Sequence, residues 1–143
     1  MSRVLGLDHG SRRIGVALGD TETGLAFSRP AIVAKGRTAA VAAVVALAHT
    51  EGADQVVLGL PLTLAGDEGP QAGVVRGFGE RLAAAGLEVA YADERLTSWE
   101  AGERLAGQRR PGARRPTRRS GELDSAAAQL ILQQYLDASR GPA

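Results

Sequence analysis

The sequence predicts a mixed α/β sheet covered by helices, in a single domain spanning residues 1–143. Three observations predict it. Apolar residues alternate with period two across short turns up to Val33, as hairpin-linked strands require. Beyond Thr38, helical apolar spacing and short apolar runs take turns, the pattern of strands joined by crossover helices. A chain of 143 residues is one domain's worth, and at this size it buries about 68–70% of its unfolded surface.

Val4 to Leu7 is an apolar run stopped by Asp8, His9 and Gly10, a buried strand ended by a turn. After Ser11, Arg12 and Arg13, residues Ile14, Val16 and Leu18 alternate with Gly15, Ala17 and Gly19, giving the second arm of a hairpin. Phe27 to Val33 is the third strand, and Pro30 inside it demands an edge or a bulge. From Thr38, residues Val41, Val44, Val45 and Ala48 fall at i, i+3, i+4 and i+7, a helix closed by Gly52. Val56 to Leu60 has no polar alternation, the mark of a central strand covered on both faces, and Pro61 ends it. Leu62 to Pro70 is a loop, followed by a helix to about Ala85. Leu87, Val89 and Tyr91 alternate into Asp93 and Glu94 as a fifth strand. Thr97 and Glu100 have capping-box spacing and open a short helix through Leu105. Leu123, Ala127, Leu130, Ile131 and Tyr135 return to helical spacing for a last helix to about Ala138.

Between those final elements the composition shifts. Arg104 to Ser120 holds seven arginines and no acid, so a flexible Arg-rich loop is expected at about 107–120. The net charge of +1 is therefore a cancellation, with ten basic and sixteen acidic residues in the remainder. No cysteine is present, which excludes disulfides, thiolate nucleophiles and cysteine metal sites. The longest apolar run, Ala39 to Ala48, is about half of what a membrane helix needs. Asp8 interrupts the N-terminal apolar stretch, leaving no signal-peptide core. A cytoplasmic protein without a membrane partner is expected. Aromatics make up 3%, which implies an aliphatic core and argues against a base-stacking platform.

Three carboxylates stand where elements end: Asp8 after the first strand, Glu94 past the fifth, and Asp124 at the start of the last helix. The carboxyl ends of strands in an open α/β sheet form the ligand crevice. If the acids converge there, their mutual repulsion requires a cation. Oxygen-only ligands select Mg²⁺ or Mn²⁺, and two such ions activate water and neutralise the leaving oxygen of a phosphodiester. The alternative is ordinary: acids at strand ends and helix starts are common, and Asp124 at its position complements the helix dipole.

The segments Gly6-Leu7-Asp8-His9-Gly10-Ser11-Arg12-Arg13-Ile14-Gly15-Val16-Ala17, Gly59-Leu60-Pro61-Leu62, Asp93-Glu94-Arg95-Leu96-Thr97-Ser98 and Asp124-Ser125-Ala126-Ala127-Ala128-Gln129-Leu130-Ile131-Leu132-Gln133 resemble, in this order, the YqgF/RuvX family. The resemblance implies an RNase H-like fold related to the resolvase RuvC and a divalent-metal nuclease. Members are described as Holliday-junction resolvases and as nucleases maturing the 5′ end of pre-16S rRNA. It further implies structured RNA, branched DNA or single-stranded DNA as partner, with ribosomal particles beside it, and a monomer or homodimer. By position Asp8, Glu94 and Asp124 become the catalytic metal ligands; Asp93 is set aside because neighbours on extended chain point oppositely. The resolvase carries a further acid one turn along its last helix, where this chain has Ala127 and Ala128.

Gly10, Arg12, Arg13 and Arg95 are candidates for contact with the nucleic-acid backbone, as are the pairs Arg109 and Arg110, Arg114 and Arg115, and Arg118 and Arg119. His9 is expected to turn away from Asp8, His49 to complement a helix C-terminus, and Trp99 and Tyr135 to be packing anchors. Thr63 and Asp67 lie in the loop after the central strand, within reach of substrate. Two other functions compete. The first hairpin also resembles that of sugar kinases, which need two such lobes and are rejected by length. A non-catalytic nucleic-acid-binding module of the same fold, acting in rRNA maturation or transcription, is not.

Overall fold

Strand β1 (Arg3–His9) sits at the centre of the sheet, and its alternation divides the molecule into two faces. Leu5 and Leu7 enter one apolar cluster, and Val4 enters the other. The computed structural model describes residues 2–10, 12–93 and 122–140. After β1 come β2 (Arg13–Asp20), β3 (Leu25–Val33), α1 (Gly36–Glu51), β4 (Ala53–Leu60), α2 (Pro70–Ala84), β5 (Glu88–Asp93) and α3 (Glu122–Arg140). The strand order is β3-β2-β1-β4-β5. Strands β1 and β2 pair antiparallel, as do β2 and β3, whereas β1 pairs parallel with β4 and β4 with β5. This is the mixed five-stranded sheet that the sequence predicts.

Both consequences of Pro30 hold. Strand β3 is an edge, and its register with β2 shifts between Ile14↔Ile32 and Val16↔Arg29, so β3 spends an extra residue at Pro30 and Ala31. A residue without an N–H is tolerated at both places. Strand β3 begins at Leu25 rather than Phe27, and two further starts differ from expectation. Helix α1 begins at Gly36 rather than Thr38, and its N-cap, Lys35, makes no side-chain cap bond. Strand β4 begins at Ala53 rather than Val56, because pairing of Ala53 with Arg3 extends it past the polar Asp54 and Gln55. Gly52 closes α1 in the left-handed conformation, with φ 69°.

Helices α1 and α2 cover one face, around Leu5, Leu7, Val44, Leu58, Phe78 and Leu82. Among the described residues α3 alone covers the other, with Ile131, Leu132 and Leu136 against Val4, Ala17 and Val57. Each of those α3 side chains is buried, worth about 1.5–3 kcal/mol apiece. The close approach of α3 depends on small residues beneath it. A Cβ on Gly6 would stand 2.6 Å from the Leu132 Cβ, and one on Gly19 would stand 2.9 Å from both Leu132 Cδ2 and Leu136 Cδ1. Side chains of α3 also hold the β3 edge: Gln129 donates to the Ala26 carbonyl at 3.0 Å, while Gln133 accepts from the Ala26 N–H at 3.0 Å and donates to the Gly24 carbonyl at 2.7 Å. Among the described residues no helix is long and apolar enough to cross a membrane.

Candidate functional site

Asp8 shares the parity of Val4 and Gly6, so it belongs to the face that α3 covers. Its cross-strand partner is Gly15. Directly opposed residues of an antiparallel pair present their side chains on the same face, about 4.5–5.5 Å apart at Cβ. The Cβ that Gly15 lacks would overlap the carbonyl of Asp124 and lie 2.7 Å from the Ser125 N–H nitrogen. The first turn of α3 therefore rests on the strand residue opposite Asp8. Ser125 fastens it there: the side chain is buried, and its Oγ accepts the Val16 N–H at 3.2 Å. That N–H lies where the β2–β3 register shifts, so the serine supplies an acceptor beside the bulge.

The fold thus brings Asp8 and Asp124 to one end of one face. Across the sheet, Leu7 pairs with Leu58 and Leu58 with Tyr91, which sets Asp8 one residue beyond that row. Asp93 has the parity of Val89 and Tyr91, both packed on the α1–α2 side, so it sits on the face opposite Asp8. Glu94 itself lies outside the described residues, as do Arg95, the short helix from Thr97 to Leu105 with Trp99, and Arg109, Arg110, Arg114, Arg115, Arg118 and Arg119. Among the described residues no group of three or more His, Cys, Asp or Glu side chains gathers for a metal. Two carboxylates contribute only hard oxygen donors, a set that suits Mg²⁺ or Mn²⁺ and not a softer ion.

The alanines one turn along α3 have a structural reason. Ala128 is fully buried, its carbonyl 3.0 Å from the Cβ position of Gly6, and Ala127 is also buried. A carboxylate in place of Ala128 would meet an apolar contact rather than a crevice.

His9 does turn away from Asp8. Its ring lies 4.7 Å from that of Phe78 at a tilt of 48°, on the α1–α2 side. Burial, and secondarily the positive charge of Arg37, push its pKa below the ordinary histidine value, which favours the neutral imidazole. Gly10 has a reason inside the turn: its N–H donates to the Arg13 carbonyl at 3.0 Å, and a Cβ would stand 2.6 Å from that oxygen. Arg12 is exposed beside it, with Arg13 half-buried. Thr63 and Asp67 hold their own loop together, the Asp67 N–H donating to Thr63 Oγ1 at 3.1 Å and the Thr63 N–H to the Asp67 carbonyl at 2.8 Å. Tyr135 is a packing residue whose hydroxyl accepts from Gln55 Nε2 at 2.9 Å, and His49 stands in the last turn of α1.

Sequence reasoning overlooked Gly15 and Ser125 as the residues that seat the last acid. The signal was available: glycine or alanine at every second position of β2 leaves one face bare, and a bare strand face admits a close helix.

A family model described as "RuvX: Holliday junction resolvase" matches residues 2–138. A Chloroflexus aggregans protein carrying the provisional name pre-16S rRNA nuclease is 43% identical over 140 residues, covering 97% of this chain and 96% of its own. A Synechococcus elongatus protein of the same provisional name is 43% identical over 143 residues, covering 96% and 91%. Among solved structures, Thermus thermophilus RuvC in complex with a Holliday junction substrate superposes with a TM-score of 0.61 at 16% identity, covering 100% of this chain and 98% of that one. The Fowlpox virus resolvase with Holliday junction DNA gives 0.58 at 10% identity, covering 96% and 98%. At such identities the likeness is one of fold, the RNase H-like fold.

Proposed function

The chain belongs to the RuvX family, and from that premise we propose that it is a metal-dependent nuclease that trims the 5′ end of pre-16S rRNA. The observation that carries the proposal is the seating of Asp124 on Gly15, the cross-strand partner of Asp8. Two carboxylates on one face at the carboxyl end of the sheet suit the binding of divalent cations beside a phosphodiester. Asp8, Asp124 and Glu94 would hold a pair of Mg²⁺ or Mn²⁺ ions, which when bound lower the pKa of a water and neutralise the leaving oxygen. The remaining work belongs to the chain. Ser125 and Gly15 fix the helix start that carries Asp124, and the β1–β2 pairing fixes Asp8, so the acids are positioned before substrate arrives. Arg12 and Arg13 at the hairpin turn orient the nucleic-acid backbone, and Arg95 with the arginine pairs between 109 and 119 adds further phosphate contacts.

Relatives above 40% identity support the rRNA substrate. The family description favours a second substrate, the four-way DNA junction, which wants two active sites related by symmetry and so a homodimer. One experiment separates them. The same preparation is offered a structured pre-16S 5′ end, a four-way DNA junction and a single-stranded DNA, with Mn²⁺ or Mg²⁺ and with chelator. We expect cleavage of the RNA end, lost with chelator and reduced roughly a hundredfold or more in Asp8→Asn. Cleavage that persists in Asp8→Asn overturns the assignment of the acids. Binding without cleavage of any substrate favours the non-catalytic module.

A further inference from the structure

The tip of the β1–β2 hairpin borders a cavity of about 160 Å³ on the face opposite Asp8. Around it stand His9 and Gly10 at the end of β1, Arg12 in the turn, Arg13 at the start of β2, and Gly36 and Arg37 at the start of α1. Three arginines, from the turn, β2 and α1, thus line one hollow, and among the described residues no carboxylate lines it.

The arginines elsewhere are differently provided for. Arg3 and Arg29 pair with Glu51, Arg76 pairs with Glu68, and Arg81 donates to Thr38 Oγ1 at 3.2 Å. Among the described residues Arg12, Arg13 and Arg37 have no such carboxylate. Arg37 crosses to α2, where the missing side chain of Gly77 leaves room for it: a Cβ there would stand 3.2 Å from Arg37 Nη1. Helix α1 adds its own positive end, with no side-chain cap bond at Lys35 and no acid in the first turn. Concentrated unpaired cations in a recess draw an anion, and arginine forks match a phosphate. A hollow of this size has room for a tetrahedral oxyanion together with water.

We propose that this cavity seats a backbone phosphate of the nucleic-acid strand, next to the one at Asp8, with Arg37 as its anchor. The proposal rests on the nuclease function above. Asp8 and His9 are consecutive residues facing opposite sides of the sheet end. A strand laid over the hairpin tip therefore passes from the acids on one face to the arginines on the other. Neighbouring phosphates are held on both sides of the strand end, which fixes the direction in which the backbone crosses the acids.

The test uses the full chain. Backbone amide NMR follows Gly10, Arg13, Gly36 and Arg37 during titration with inorganic phosphate and, separately, with an oligonucleotide lacking terminal phosphates. Saturable shifts of these amides by the oligonucleotide, absent in Arg37→Ala, are expected. Shifts by inorganic phosphate alone overturn the proposal, because they make the cavity a site for the free ion. In cleavage assays Arg37→Ala should raise KM roughly ten- to a hundredfold with a smaller effect on kcat, and should reduce the slope of log affinity against log salt by about one. Arg37→Lys, which keeps the charge but not the fork, should fall between the two and guards against a folding defect. In Asp8→Asn the amide shifts should survive while cleavage is lost. Unchanged KM, salt slope and shifts in Arg37→Ala overturn the cavity and leave the nuclease standing. Retained shifts in a chain that cuts nothing overturn the nuclease and leave a backbone-phosphate site.

Discussion

Gly15 has no side chain, and that is why the last helix can start where it does. In Gly15→Ala the new methyl would meet the Asp124 carbonyl, a backbone group that cannot swing aside. Overpacking of this kind costs about 1–3 kcal/mol. We expect a lower melting temperature together with a loss of cleavage larger than the loss of folded protein, since the helix start that carries Asp124 must shift. Ser125→Ala tests the same joint from the other side. It strands the buried Val16 N–H, at about 1–3 kcal/mol, and thermal melts read the difference. A surface pair gives a pH prediction. The Arg76 guanidinium, bonded to Glu68 at 2.6 and 2.7 Å, holds that carboxyl below its ordinary value. A depressed carboxyl contributes its stability above the ordinary glutamate pKa and loses it as pH falls through the lowered value. NMR titration should find Glu68 below the ordinary glutamate pKa, returning to it in Arg76→Ala. The placement of Asp8 at the end of β1 and of Asp124 at the start of the last helix was legible because strand ends and helix starts interrupt apolar patterns that a sequence displays. Arg37 was not, since one arginine at a helix start carries no local signature and acquires meaning only beside Arg12 and Arg13.

Helix α2 contains three glycines with different reasons to exist. Nothing stands within 4 Å of the missing Cβ of Gly73, whereas Gly79 is overlain by the Tyr91 hydroxyl, with Leu58 Cδ1 at 3.0 Å. Tyr91 in turn lies beneath Arg76, whose guanidinium carbon is 4.8 Å from the ring centroid. Gly73→Ala should therefore stabilise the protein by about 0.5–1 kcal/mol through helix propensity alone. Gly79→Ala should destabilise it by disturbing Tyr91, and calorimetry of the two variants should show shifts of opposite sign. Strands and helices were legible because period two and period 3.6 are local properties of the chain. The beginning of β4 was not: Asp54 and Gln55 break its apolar run, and only pairing with the distant Arg3 end of β1 makes them strand. Nor was the start of α1, which has no capping side chain to announce it.

At the scale of the molecule, the two faces of the sheet have different owners. One is covered by α1 and α2, each the next described element after its strand; among the described residues the other is covered by α3, which comes after all the rest. On the proposed assignment, Asp8 and Asp124 hold a divalent cation on that second face. Mg²⁺ or Mn²⁺ should therefore raise the melting temperature in proportion to its binding. In Asp8→Asn the metal-dependent rise should disappear, as differential scanning fluorimetry with and without chelator would show. The sequence pattern indicated a mixed sheet but not its strand order. That β1 lies between β2 and β4 follows from long-range pairing, which no window of periodicity contains.

Because α3 follows every other described element in the chain, it is also the last of them to leave the ribosome. Domains form from the N-terminus as synthesis proceeds, so the sheet and its α1–α2 cover can assemble while the opposite face still lies open. A nascent chain in that state has Asp8 but not Asp124, and the apolar row of Val4, Ala17 and Val57 is exposed to solvent. Docking of α3 then closes the core and brings Asp124 to the face of Asp8 in one event, so on the proposed assignment of the acids cleavage waits until translation has supplied this helix.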